Sequence, residues 1–173
     1  NRGLSGIILN PSTILGFGDW NTSSCTIFKR IHDGFNWYTP GINGFVDVED
    51  AAHATVALME SSITEQRYII NSDNWLFKKL QDTIAENLDK KKPLREATPL
   101  LLDIGWRVEK VKSFFSGKRP LLTRDSVRVA KSKTYFENNK LLAALPGFSF
   151  TPLEQSIAKA AKKYLNGVNV PSH

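Results

Sequence analysis

Cysteine is almost missing from this chain: Cys25 stands alone among 173 residues, so no internal disulfide can form. The three histidines, His32, His53 and His173, show no ligand spacing with Cys25 or with each other, so no metal site is expected. No apolar run approaches the roughly 20 residues that span a bilayer, and the N-terminus lacks a basic region followed by a hydrophobic signal segment. These absences predict a soluble, cytoplasmic chain with no membrane partner. The signatures of several enzyme classes are missing as well. There is no Gly-x-x-x-x-Gly-Lys-Ser/Thr, no Gly-x-Ser-x-Gly elbow, no His-Glu-x-x-His and no Cys-x-x-Cys. Gly16-Phe17-Gly18 falls short of a dinucleotide fingerprint, because position 21 is Asn and Pro11 separates the turn from the preceding apolar run. None of Tyr38, Tyr68, Tyr135 and Tyr164 has Lys four residues on; Tyr135 and Lys140 are five apart. No catalytic set is complete.

What is present suffices for one substantial core. The chain is 41% hydrophobic and 23% charged, with no internal repeat and no low-complexity linker, and residues 1–173 read as one unit. The net charge of +6 is uneven: residues 1–86 hold 6 Lys/Arg against 10 Asp/Glu, and residues 87–173 hold 17 against 7. Such a field attracts polyanions in principle. No nucleic-acid motif or aromatic interleaving accompanies it, so the basic half is read as a solvated helical surface and no nucleic-acid partner is expected. The competing reading is a stand-alone basic helical module that holds an anionic partner.

The stretch from Ile7 to Gly18 organises the rest. Gly6 to Leu9 shows no polar alternation and reads as a short strand buried on both faces, ended by Pro11, which cannot donate to a ladder. Polar residues past the carboxyl end of such a strand lie where open α/β sheets bind ligands. Asn21 to Ser24 then signals the cap of a helix spanning Thr22 to Asp33. Phe35 to Gly44 combines aromatics with turn residues and reads as a loop that either walls a pocket or tucks into the core as a flap. Phe45-Val46 is a short strand, and Asp47 caps a helix with Glu49 and Asp50 in its first turn, which explains this acidic trio without a metal.

Further on, Arg67 to Asn71 is a strand, and Ser72-Asp73 is expected to cap a helix with its stripe at Leu76, Leu80, Ile84 and Leu88. Leu94 to Thr98 is a candidate strand. Pro99 then opens a helix with Leu101, Ile104, Val108, Val111 and Phe115 inward, closed by Gly117. Short helices follow over Thr123 to Ala130 and Glu137 to Leu145. Thr151-Pro152-Leu153-Glu154 reads as a capping box for a last helix facing the core with Leu153, Ile157, Ala161 and Tyr164. About seven helices stand against two strong and two or three weak strands, too little sheet for a self-contained α/β domain. The expectation is the C-terminal part of a larger enzyme.

Three segments in order carry a resemblance: Ile8-Leu9-Asn10-Pro11-Ser12-Thr13-Ile14-Leu15-Gly16, Gly44 to Ala52, and Arg67-Tyr68-Ile69-Ile70. Together with the closing pattern from Tyr135 to Leu145, Phe148 and Thr151 to Glu154, they resemble the extended short-chain dehydrogenase/reductase family, nearest its NAD(P)-dependent epimerase/dehydratase and dihydroflavonol-reductase-like members. The resemblance implies an α/β fold: the C-terminal part of a Rossmann-type doubly wound fold plus a mostly helical substrate-binding subdomain. It implies an oxidoreductase or epimerase/dehydratase acting on a carbonyl or hydroxyl of a small molecule, with NAD or NADP bound mainly by an N-terminal half ahead of Asn1. The glycine-rich loop and the catalytic Tyr and Lys would lie there, leaving no catalytic residue in this chain and the chain inactive alone. What remains is a loop passing the nicotinamide (Asn10, Pro11, Ser12, Thr13) and a pocket wall with Trp37 and Tyr38. Many members acting on nucleotide sugars have Arg where Asn10 stands, which points to a less polar substrate. Strands with an open edge imply a homo-oligomer.

Overall fold

The computed structural model describes residues 6–116 and 124–168. The opening segment forms two strands, β1 (Ile7–Pro11) and β2 (Thr13–Leu15), followed by α1 (Cys25–His32), β3 (Trp37–Tyr38) and β4 (Ile42–Asp47). Helix α2 (Val48–Met59) leads to β5 (Gln66–Ile70) and β6 (Asp73–Leu76), then α3 (Phe77–Asn87) and β7 (Arg95–Glu96). Four helices complete the order: α4 (Pro99–Ser116), α5 (Arg124–Lys131), α6 (Asn139–Ala144) and α7 (Leu153–Val168). Gly117 and Thr123, the expected end of one helix and start of the next, lie outside the described residues.

Pro11 stops the first strand as expected, and the chain then changes partner. β1 runs parallel to β5, with Pro11 opposite Ile70. The Ser12 amide donates to the Ile70 carbonyl at 2.9 Å, and from Thr13 onward β2 runs parallel to β4. β4 is therefore central to a three-stranded sheet, with β2 on one side and antiparallel β6 on the other. β3 and β7 form a separate parallel pair.

Two clusters carry the core. Leu15, Phe28, Phe45, Trp75, Leu80, Ile84, Ile157 and Tyr164 are buried where α1, α3 and α7 meet the β2–β4–β6 sheet. Val46, Ala54, Leu58, Tyr68, Ile70 and Leu141 are buried where α2 and α6 cover β1 and β5. The small alanines of α2 permit this approach: Ala54 is fully buried and Ala51 nearly so. Asp47 caps α2 as the sequence predicts, its carboxylate accepting from the Glu49 amide at 2.7 Å. All four residues of the expected α7 stripe are buried. A third, smaller cluster joins α4 and α5 through Ala97, Leu102 and Val127, with Trp37 and Trp106 against it.

Several expectations are corrected. β1 is not buried on both faces: Ile8 is 53% exposed, because α2 covers one side and β5 is the only strand paired with β1 among the described residues. The 35–44 segment is not loop throughout, since Trp37-Tyr38 pairs with β7 and Ile42 already belongs to β4. The helix expected from Ser72-Asp73 starts only at Phe77, because residues 73–76 pair with β4 and satisfy their backbone there. α1 begins at Cys25 rather than Thr22, and the Ser24 hydroxyl donates to the Ile14 carbonyl instead of capping the helix. On α4, Leu101, Ile104 and Val108 are exposed and Leu102 is the buried position; the side chains of Val111 and Phe115 lie outside those described. Thr151 does not complete a capping box. Its amide and hydroxyl both donate to the Asp50 carboxylate, at 2.7 and 2.9 Å, tying the entry of α7 to α2.

Candidate functional site

The change of partner at Ser12 opens space beyond the carboxyl ends of β1 and β5, the place where open α/β sheets take ligands. Two hollows meet there. One is a cavity of about 840 Å³ and the other a cleft of about 570 Å³, and Thr13 lines both. The Thr13 hydroxyl accepts from the Asn43 side-chain amide at 2.7 Å, and Asn43 is 8% exposed, so this pair forms a fixed polar floor to the larger cavity.

The larger cavity is mostly apolar. α1 contributes Thr26, Ile27 and Arg30. Aromatic walls come from Phe35, Trp37 and Phe77, and Phe77 is held by an edge-on contact with the buried Phe45 ring at 5.7 Å. The α4–α5 side adds Leu101, Leu102 and Val129. Among the described lining residues only Arg30 and Asp125 carry charge, and the Arg30 guanidinium lies 5.9 Å from the centre of the Phe35 ring. Pockets with apolar walls and a few placed polar groups are the usual form of a small-molecule site.

The smaller cleft is more polar, with Ser12, Ser23, Ser24 and Cys25 around the Gly16 turn. The Ser12 hydroxyl oxygen is buried there without a hydrogen-bond partner. The turn itself is pinned from behind: the Gly18 amide donates to the Tyr164 hydroxyl at 3.2 Å, and that hydroxyl donates to the Gly16 carbonyl at 3.4 Å. Burial, reinforced by the hydrogen bond with Cys25, pushes the Tyr164 phenol well above its ordinary range. Tyr164 therefore stays protonated and serves as a post for the turn, not as a base.

The residues singled out in the sequence fare differently. Ser12 and Thr13 reach the cleft, and Thr13 the cavity too, whereas Asn10 and Pro11 are exposed and line neither hollow. Trp37 lines the cavity; Tyr38 does not. The Tyr38 hydroxyl donates to Glu96 Oε2 at 3.3 Å and the Lys78 ammonium lies 5.1 Å from its ring centre. The acidic trio disperses: Asp47 caps, Asp50 holds Thr151, and Glu49 pairs with Lys159. Among the described residues no three His, Cys, Asp or Glu side chains gather as a metal site, and no helix is long and apolar enough to cross a membrane.

The expected 35–44 wall supplies Phe35, Trp37, Thr39 and Asn43; the sequence did not point to Arg30, Phe77 and Gln81. Phe77 and Gln81 carried a usable signal, an aromatic and an amide spaced i,i+4 beside the Leu80/Ile84 core stripe. Arg30 carried none, since only the fold brings it to the cavity.

The described residues are thus a mixed α/β unit with a cavity at a strand-switch point. Solved structures share that fold. A nucleoside-diphosphate-sugar epimerase from Pseudomonas aeruginosa matches over 93% of this chain and 48% of its own, with a TM-score of 0.70 at 18% identity. UDP-glucose 4-epimerase from Thermotoga maritima, solved with UDP-glucose, matches over 96% of this chain and 48% of its own, with a TM-score of 0.68 at 14% identity. dTDP-glucose 4,6-dehydratase from Bacillus anthracis, solved with NAD, matches over 92% and 44%, with a TM-score of 0.63 at 11% identity. The chain spans about half the length of these structures. No family model matches it, and no curated protein does.

Proposed function

We propose that the chain is the C-terminal, substrate-side portion of an NAD(P)-dependent oxidoreductase or epimerase/dehydratase of the extended short-chain dehydrogenase/reductase type, acting on a carbonyl or hydroxyl of a small molecule. One observation carries this reading: the 840 Å³ cavity and the polar cleft meet at Thr13, beyond the switch from β1 to β2. In such an enzyme Ser12 and Thr13 border the nicotinamide end of the cofactor, while Trp37 and its neighbours hold the substrate. The three solved enzymes of this fold, two of them holding UDP-glucose or NAD, support it.

The residues fit a supporting role towards a dinucleotide and not the principal one. The unpartnered Ser12 hydroxyl is suited to an amide such as that of nicotinamide. A hydrogen bond of that kind contributes only about 0.5–1.5 kcal/mol, and no stretch here supplies the glycine-rich turn that presents backbone donors to a pyrophosphate. When bound, the cofactor would supply hydride chemistry; the residues of this chain would wall it, orient the substrate and exclude water. The proton-transferring tyrosine and lysine and the pyrophosphate loop belong, on this reading, to the other half, and the open β1 edge is suited to association.

Calorimetry with NADH and NADPH tests this directly. Residues 1–173 alone should show no binding tighter than about 1 μM, whereas the full-length protein should bind one of the two cofactors at that level or better. Submicromolar binding to residues 1–173, or a full-length protein that binds neither cofactor, would overturn the reading.

A further inference from the structure

Gln81 lines the large cavity, and the fold leaves its amide oxygen buried without a partner. It sits on α3 one turn after Phe77, and both residues line the cavity. The other polar side chains of this helix are engaged: the Lys78 ammonium bonds Asp82, the Thr83 hydroxyl donates to the Lys79 carbonyl, and the Asn87 amide donates to the Thr83 carbonyl. Gln81 Oε1 is instead buried without a hydrogen-bond partner. A buried, unpaired acceptor is destabilising, and native proteins retain few of them. The polar floor opposite is already paired within itself, Asn43 to Thr13. Thr26 and Thr39 add hydroxyls, the rest of the described lining is mostly aromatic and aliphatic, and its two charged residues, Arg30 and Asp125, are of opposite sign.

We propose that Gln81 is the specificity-determining residue of this cavity: its amide oxygen accepts a hydrogen bond from a hydroxyl on an uncharged, largely apolar ligand. The inference rests on the substrate-side reading given above and narrows it to a substrate class. A diphosphate would bring at least two negative charges into a lining whose charges, among the described residues, cancel, and burying charge without matched partners is costly. A flat or aliphatic ring system instead buries its surface against Phe35, Trp37 and Phe77, and the broad terminal torsion of glutamine allows the amide oxygen to turn to its hydroxyl. A site with a buried acceptor rejects an analogue lacking the donor, because the acceptor is then left unpaired.

The test uses the full-length protein and three probes: 2-naphthol, 2-methoxynaphthalene, which has the same rings without a donor, and UDP-glucose. 2-Naphthol should bind about tenfold more tightly than 2-methoxynaphthalene, and UDP-glucose more weakly than 2-naphthol. In Gln81→Leu and Gln81→Met the preference for the donor should vanish while 2-methoxynaphthalene binds as before. The proposal is overturned if UDP-glucose is the tighter ligand, if either variant keeps the donor preference, or if both variants lose both naphthalene probes, which would make Gln81 a support of the wall. A parallel NADH and NADPH titration separates the two readings: absence of cofactor binding removes the oxidoreductase assignment and leaves the donor preference to stand or fall by itself.

Discussion

The two sides of the cavity are built to different standards. On the sheet side, β2, α1 and α3 rest on the cluster centred on Tyr164, where Leu15, Phe28, Phe45, Leu80 and Ile157 are fully buried. Rings crowd this centre: Trp20, Phe17 and Phe28 lie 4.2, 4.9 and 5.2 Å from Tyr164, centre to centre. On the other side, the described residues of α4 and α5 bury Leu102 and Val127 with Ala97 just before α4, and α4 leaves Leu100, Ile104 and Val108 exposed while Leu101 borders the cavity. Backbone bonds still anchor this side: the Ile42 amide donates to the Ser132 carbonyl and the Thr134 amide to the Ile42 carbonyl. Local stability follows the density of buried apolar contact, so a firm wall carries the polar floor and Gln81, while a thinner wall closes over them.

Truncation on either side should expose this difference. Tyr164→Ala removes a fully buried ring and both bonds to the Gly16–Gly18 turn, and should cost about 3–5 kcal/mol. Leu102→Ala should cost about 2 kcal/mol, at the lower end for a buried leucine, because its neighbours can close in. Chemical denaturation of the two variants measures both losses, and hydrogen exchange adds a check: α4 amides should open at lower free energy than α7 amides. Equal losses with equal protection would erase the distinction between the walls.

Trp37 and Tyr38 sharpen the comparison at the level of binding. They are adjacent in β3, but only Trp37 faces the cavity; it also packs on the α4–α5 cluster, and Arg95 lies 5.6 Å from its ring centre. Trp37→Ala should weaken binding of 2-naphthol by about tenfold, the scale of one aromatic contact and its buried area. Tyr38→Ala should change it less than about twofold, since its ring answers to Lys78 and Glu96. Because Trp37 belongs to a cluster, its loss will also lower the melting temperature. Of the two residues expected from sequence in the pocket wall, Trp37 lines the cavity and half-buried Tyr38 turns to Lys78 and Glu96. Equal effects of the two variants on binding would show that Tyr38 contributes to the cavity as much as Trp37 does.

Legibility followed the range of the forces involved. The α7 stripe and the Asp47 cap could be read because helical periodicity and an N-cap hydrogen bond are local. The 73–76 segment could not, because its helix-start residues were drawn into the sheet by an available edge of β4 more than 25 positions away in sequence. Thr151 failed similarly: the local capping box lost to Asp50, a hundred residues earlier, whose buried carboxylate takes both of its donors. On the described part of α4, Leu102 is buried while the expected Leu101, Ile104 and Val108 are exposed, Leu101 towards the cavity. In the site, Thr13 was reached because it follows a strand, Trp37 because aromatic residues stand out among turn residues. Arg30 looks in sequence like an ordinary helix-surface cation, and only the packing of α1 against the sheet side gives it a place in the wall.

The smallest effect belongs to the exposed end of α1, the helix that gives Arg30 to the cavity. Asp33 follows this helix, where the Lys29 side chain hydrogen-bonds its carboxylate and His32 adds a second contact at 3.3 Å. These partners hold the Asp33 carboxyl below its ordinary value, Lys29 contributing most. An acid whose folded-state pKa is depressed adds stability above its unfolded value, about 4, and that stability is lost as pH falls through the lower, folded-state value. Both side chains of the Lys29–Asp33 pair are largely exposed, so solvent and salt screen it, and the contribution should be no more than a few tenths of a kcal/mol, about the size of an exposed i,i+4 pair. Thermal melts of Asp33→Asn and the unaltered chain at pH 6 should therefore differ slightly, and the difference should shrink as the pH is taken below about 4. Adding 1 M salt at pH 6 should shrink it as well, since the Debye length is then only about 3 Å. A gap that widens on acidification would mean that the carboxyl is stabilised in its neutral form, contrary to its contact with Lys29.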